Sequence, residues 1–131
     1  TEKGFSKRGG YYCLFQKELI IVIGIQKSNY SNGYYVNIGY IISALNPHIV
    51  SPKDVDGDIR ARFTIELDEK RVDFYDLDRI ENDTLLFSID DNIKRYIDEV
   101  NTIEELKKLL EKYPVMLYQT KLLAKQYLKL E

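Results

Sequence analysis

The spacing of apolar positions changes once along this chain, from every second residue to every third or fourth, near residue 84. Strands are expected before that point and helices after it. Residues 19–23 (LIIVI) are an unbroken β-branched and aliphatic run, the pattern of a strand covered on both faces or central to a sheet. After Gly24 the run weakens into Ile25-Gln26-Lys27, as it would where a strand leaves the covered part of its sheet. Residues 28–33 are polar and end in Asn32-Gly33, a turn signal because both residues accept positive φ. Residues 34–42 alternate. Tyr34, Val36, Ile38, Tyr40 and Ile42 make a core face, and Tyr35, Asn37, Gly39 and Ile41 the opposite one. Residues 11–16 supply a strand ahead of these, turning at Lys17-Glu18, so the first three strands predict an antiparallel meander. Gly24 and Gly39 read first as packing adjustments, with close approach of a helix or a ligand as the alternative.

Residues 59–67 (IRARFTIEL) alternate cleanly as a fourth strand. Ile59, Ala61, Phe63, Ile65 and Leu67 point to the core; Arg60, Arg62, Thr64 and Glu66 point outward. Asp68-Glu69-Lys70 forms a turn, and residues 71–78 alternate in part, as a short edge strand would. Residues 43–57 carry Pro47, Pro52 and Gly57 and are too long for a hairpin loop, with room for a single helical turn. Leu85, Leu86, Ile89, Ile93, Ile97 and Val100 predict a first helix ending at Asn101, starting near Thr84 or at Ser88 as N-cap. Thr102-Ile103-Glu104-Glu105 is a capping box opening a second helix over residues 103–112, with Leu106, Leu109 and Leu110 as its stripe. Pro114 suits the first turn of a third helix running to about Leu130. Its stripe would be Leu117, the stem of Lys121, Leu123, Ala124, Tyr127 and Leu128. The expected architecture is one α+β domain over residues 1–131, an antiparallel sheet of four to five strands, meander first, packed against two to three C-terminal helices.

Composition narrows the chemistry. The chain has 131 residues, enough for a real core, and no apolar run that could span a bilayer. No membrane association is expected, and no leader segment is visible. A single cysteine, Cys13, excludes an internal disulfide and fits a reducing compartment, so the cytoplasm is the expected location. Cys13 lies in an apolar strand and reads as a small core residue before a nucleophile. His48 is the one histidine, so no zinc ligand set can be assembled. It reads as a surface or loop residue, with a general-base role as the minor alternative. Asp54-Val55-Asp56-Gly57-Asp58 has its glycine two positions early for a calcium loop. Neither metal nor cofactor is expected.

Charge is unevenly placed. Residues 54–91 hold thirteen acidic and five basic side chains, while the chain as a whole is at −2. The acidic block reads first as solvated surface and second as a face that meets a basic partner. The overall balance argues against general nucleic-acid binding. The candidate polar face is Gln26, Lys27, Tyr35, Asn37, Arg60 and Arg62. Arg60 and Arg62 lie roughly 7 Å apart on one face of a strand. Two such guanidinium groups can fork onto a carboxylate or phosphate, or pair with the many neighbouring acids. For these six to converge, the polar face of the sheet must be a cleft.

No nucleophile–base pair accompanies them, so no catalytic residue is assigned. A non-catalytic binding or interaction domain is the leading reading, an immunity- or antitoxin-like protein being one version, and another protein with a basic surface the expected partner. The alternatives are an enzyme or binder of an anionic small molecule on the Arg60/Arg62 face, and single-stranded nucleic-acid binding through Tyr11, Tyr12, Tyr30, Tyr34, Tyr35 and Tyr40 beside Lys7, Arg8 and Lys27.

Four pieces in order, Gly4-Phe5-Ser6-Lys7-Arg8-Gly9, Gln26-Lys27-Ser28, Tyr34-Tyr35-Val36-Asn37-Ile38-Gly39 and Ile59-Arg60-Ala61-Arg62, resemble the bacterial domain-of-unknown-function 4304 family. The likeness covers most of residues 4–62, with a similar leucine-rich tail. Two departures stand out: Asp58 where the family tends to carry His, and a start at the Gly4-Phe5 segment without the family's usual upstream helix. The resemblance implies an α+β fold and no particular activity.

Overall fold

The apolar run at Leu19 lies at the middle of the sheet. The structure, a computed structural model, describes residues 3–130. β1 (Ser6–Arg8), β2 (Tyr11–Phe15), β3 (Leu19–Lys27), β4 (Gly33–Ile42) and β5 (Ile59–Arg62) pair in chain order, each antiparallel to the next. β6 (Ile65–Leu67) and β7 (Lys70–Val72) form a separate hairpin. β8 (Tyr75–Asp76) then returns to pair with Gly33 and Tyr34 at the start of β4. α1 (Asn82–Tyr96), α2 (Ile103–Lys112) and α3 (Leu122–Tyr127) complete the chain. This is the α+β arrangement the pattern predicts, an antiparallel meander followed by helices. No helix among the described residues is long and apolar enough to cross a membrane.

β3 and β4 are joined in register from Leu19 opposite Ile42 to Lys27 opposite Tyr34. One face of this ribbon, with Leu19, Ile21, Ile38, Tyr40 and Ile42, packs with Tyr96, Leu106, Leu110, Ala124 and Leu128 from the helical half. The other face carries a smaller cluster of Cys13, Ile20, Val22 and Ile41, with Tyr11 and Ile49 against it. The long connection between β4 and β5 covers this second face. Each position of residues 19–22 is therefore buried, which is why the run does not alternate. The connection holds two 3-10 turns, Ser43–Leu45 and Asp54–Asp56. The second lies directly on the sheet: a Cβ at Gly39 would sit 2.5 Å from the Asp54 carbonyl oxygen. Close approach by a helical turn is thus the role of Gly39. Asp58 pins the return, its Oδ2 accepting from the Ile42 amide and from Asn46 Nδ2, both at 2.8 Å. Asp54 and Asp58 are buried, so two acids of the 54–91 block belong to the fold and not to a solvated surface.

Four expectations need correction. β1 was not foreseen; its Ser-Lys-Arg sequence is wholly exposed and carries no periodic signal, because backbone pairing to β2 and the Lys7 and Arg8 cations over the Tyr12 and Phe15 rings hold it, with no apolar side chain buried. Residues 59–67 are not one strand. The chain breaks at Phe63-Thr64, where Asn92 of α1 takes the place of a neighbouring strand: its Oδ1 accepts from the Thr64 amide at 3.0 Å and its Nδ2 donates to the Thr64 carbonyl at 2.7 Å. α1 starts ahead of both predicted positions and ends at Tyr96; Ser88 lies inside it, bonded to the Thr64 carbonyl and the Tyr75 hydroxyl. Ile97 and Val100 remain core residues beyond its end, while Leu86 is exposed.

The predicted third helix is a 3-10 stretch (Pro114–Gln119), an extended pair of residues, and the six-residue α3. The interruption has a cause: Thr120 bridges to Ile59, and the Lys121 amide bonds the Asp58 carbonyl at 2.8 Å. Leu123 and Tyr127 are consequently exposed, and Met116, Ala124 and Leu128 make the core contacts. α2 keeps half of its expected capping box, because Glu105 Oε1 accepts from the Asn101 amide at 3.1 Å and not from that of Thr102. Thr102 Oγ1 accepts from the Glu105 amide at 3.2 Å. Glu18 Oε1 accepts from the Ile103 amide at 3.2 Å, placing a carboxylate at the positive end of the helix dipole.

Candidate binding groove

Antiparallel register decides which polar side chains meet. Arg62 stands opposite Asn37, Arg60 opposite Gly39, and Gln26 opposite Tyr35. Cross-strand partners project from the same face, so these side chains share one side of the sheet. Asn37 Nδ2 donates to Gln26 Oε1 at 3.1 Å, and Asn37 Oδ1 accepts from Arg62 Nε at 2.8 Å. The Arg62 guanidinium lies 4.2 Å over the Tyr35 ring, and its Nη1 bonds Asp73 Oδ2 at 3.0 Å. Tyr35 packs in turn on Phe74, with ring centroids 5.1 Å apart. Arg62 is therefore held on three sides: by an amide, a π face and a carboxylate.

Arg60 differs. It is exposed, and among the described residues no carboxylate lies within salt-bridge distance of it. Neighbouring acids neutralise one arginine of the pair and leave the other. Lys27 does not join the group. It follows Gln26 by one residue and so falls on the opposite face, where its Nζ bonds the Ser28 and Ser31 carbonyls and lies 5.9 Å from the Tyr34 ring centroid.

Beside these residues a groove of about 460 Å³ runs along the outer edge of β5, a volume in the usual range for small-ligand pockets. Asn37, Arg60, Arg62 and Asp73 form one side, and Tyr96, Tyr113, Val115 and Met116 the other. Burial pushes the Tyr96 phenol above its ordinary range, reinforced by the neighbouring Tyr113, so Tyr96 is a neutral wall at physiological pH. The helical-side residues escaped the sequence reading because their spacing reads as core packing, which is also their role: Met116 and Tyr96 are buried. The one available signal was Tyr113-Pro114, which places a ring at the end of α2.

The cysteine and the histidine considered for nucleophile or base chemistry lie elsewhere. Cys13 is fully buried under the 43–57 connection, and desolvation raises its thiol pKa. His48 is exposed on that connection. The tyrosines proposed as a stacking platform divide between faces. Tyr12, Tyr34 and Tyr40 lie on the helix side and Tyr11 and Tyr35 on the other, while Tyr30 stands free in the β3–β4 loop. Tyr40 is inaccessible, its hydroxyl donating to the Tyr96 carbonyl at 2.7 Å.

A family model described as "Domain of unknown function (DUF4304)" matches residues 1–114. The chain belongs to this family. No curated protein and no solved structure matches it. The DUF4304 match takes in Gln26, Tyr35, Asn37, Arg60, Arg62, Asp73, Tyr96 and Tyr113 and stops at Pro114, so Val115 and Met116, which close the groove, follow the matched part. Asp58, the departure from the family pattern, is the buried acceptor for Ile42 and Asn46. That departure sits at a fold contact and not among the groove residues.

Proposed function

We propose that this chain is a non-catalytic binding domain whose ligand sits in the groove beside β5 and presents an anionic group to Arg60. The observation that carries this reading is the contrast between the two arginines. Arg62 is already fixed by Asn37, Tyr35 and Asp73, whereas Arg60 reaches the same groove with no carboxylate partner among the described residues. A guanidinium left free beside an apolar wall favours a carboxylate or phosphate. The opposite wall of rings and aliphatic groups suits the apolar body attached to that anion. With Arg62 held in place beforehand, the ordering cost on binding falls mainly on Arg60.

Differential scanning fluorimetry with acetate, citrate and inorganic phosphate at constant ionic strength tests this. At ten times its dissociation constant a bound anion stabilises the protein by about 1.4 kcal/mol, a rise in Tm of about 5 °C for a chain of this size. The expected result is a saturable rise with at least one of these anions, lost in Arg60→Ala and retained in Lys27→Ala. An identical rise in Arg60→Ala rejects the assignment.

A further inference from the structure

We infer that the occupant of this groove is the C-terminal end of another protein chain, added as a short antiparallel strand to the outer edge of β5 with its terminal carboxylate on Arg60. The inference rests on the reading of the groove as a binding site and adds the ligand class and its backbone mode.

The register fixes which peptide groups face outward. The Phe63 amide bonds the Val36 carbonyl at 2.9 Å. Ala61 and Phe63 therefore turn their peptide groups toward β4, and Arg60, Arg62 and Thr64 turn theirs away; at Asp58 the two groups part, its amide donating to the Tyr40 carbonyl at 2.8 Å and its carbonyl facing outward. β5 ends the strand path of the sheet on this side, and such an edge is a template for a further strand.

Both ends of the edge are closed by the chain itself. The Asp58 carbonyl is taken by the Lys121 amide at 2.8 Å. The Thr64 amide and carbonyl are taken by Asn92 at 3.0 and 2.7 Å. The antiparallel bridge of Ile59 with Thr120 puts the Arg60 amide at the closed end, so the outward groups that face the groove are the Arg60 carbonyl and the Arg62 amide and carbonyl.

Length selects a chain end. Six residue steps from Asp58 to Thr64 span about 20 Å in extended backbone. With both stops occupied, about three residues of a pairing strand fit. A segment passing through would have to turn away from the sheet ahead of both stops, Thr120 at one end and Asn92 at the other, whereas a terminus turns away ahead of Asn92 alone. Charge selects which terminus. A carboxylate meets Arg60, which has no acid partner among the described residues, and an ammonium group would meet two guanidinium groups. With its carboxylate at Arg60 and its approach past Arg62, the added chain runs antiparallel to β5. Its side chains on one face meet the wall of Tyr113, Val115 and Met116, which favours apolar residues there.

The test uses the whole chain and three sets of fluorescein-labelled peptides. Each set is a mixture of tripeptides built from Ala, Val, Leu, Ile and Phe, joined to the dye through Gly-Gly. The first set ends in a free carboxylate, the second in an amide, and the third has the free carboxylate and N-methylated peptide bonds. Fluorescence polarisation is expected to show saturable binding of the first set, at least tenfold weaker binding of the other two, and at least a tenfold loss for the first set in Arg60→Ala. By NMR, the Arg62 amide is expected to exchange faster than those of Ala61 and Phe63 in the free protein and to slow when the first set is added. Equal binding of the N-methylated set, or an Arg62 amide already protected in the free protein, overturns strand addition and leaves anion binding standing. Binding of none of the peptides, with citrate or phosphate still shifting Tm through Arg60, also overturns strand addition alone. Failure of the peptides and of the anions together rejects the groove as a site.

Discussion

Asn92→Ala is expected to destabilise the protein by about 3 kcal/mol, seen as a lower urea midpoint with an unchanged slope. Asn92 is fully buried and serves as a one-residue strand for Thr64, accepting from its amide and donating to its carbonyl. The two losses are unequal. The Thr64 carbonyl keeps Ser88 Oγ at 3.1 Å and the Tyr75 hydroxyl at 3.3 Å, but its amide keeps nothing. An orphaned buried donor costs about 1–3 kcal/mol, and the cavity left by the truncated side chain adds to it. Ser88→Ala, which removes one of several donors to the same carbonyl, is expected to cost about 1 kcal/mol. A loss below 1 kcal/mol in Asn92→Ala would mean that water takes over the Thr64 amide. The same substitution removes the stop at one end of the β5 edge, so it also tests whether that end has to be closed for the groove to select a short occupant.

Gly39→Ala is expected to cost about 3 kcal/mol, and Gly24→Ala about 1 kcal/mol. Both glycines face the 3-10 turn Asp54–Asp56, but they meet different parts of it. A Cβ at Gly39 would lie 2.5 Å from the Asp54 carbonyl oxygen and 3.1 Å from its Cα, all backbone. The turn would have to lift as a unit, uncovering Val22 and Ile41, both fully buried. At Gly24 the nearest atoms are the Asp54 carboxylate at 2.8 Å and the Tyr11 ring at 3.1 Å, side chains that can swing aside. Thermal unfolding of the two variants checks the order. Equal losses would show that the turn yields as easily as a side chain. Lifting the turn also exposes Cys13, whose Sγ lies 3.8 Å from the Pro52 carbonyl. Faster thiol labelling is therefore expected in Gly39→Ala than in Gly24→Ala.

What could be read in advance depended on how each feature is encoded. The β3–β4 ribbon, its core face and the capped start of α2 are written in side-chain periodicity and in one local box, and the structure follows the ribbon residue by residue and the box in its Thr102 half. The arginine pair on one face of β5 is a consequence of strand alternation, so it too was legible, along with its proximity to Asn37 and Tyr35. Lys27 was misplaced because composition groups it with Gln26, whereas alternation separates them. The break after Arg62 and the loss of a long third helix are set by contacts distant in sequence, Asn92 on Thr64 and Thr120 on Ile59. Nothing near those residues announces them. The far wall of the groove was hidden for a related reason. A ring or methionine that both supports the core and lines a cavity has the same spacing as one that only supports the core.

The way the β5 edge is closed has a kinetic side. The meander from β1 to β4 is built from neighbouring strands and hairpin contacts, which close short loops. The edge of β5 depends on partners 28 residues away at Asn92, and on Thr120, farther still along the chain. Contacts of that separation carry the larger loop-closure entropy and form after the local ones. In the folding reaction the β1–β4 meander is expected to assemble first and the closed ends of the β5 edge last.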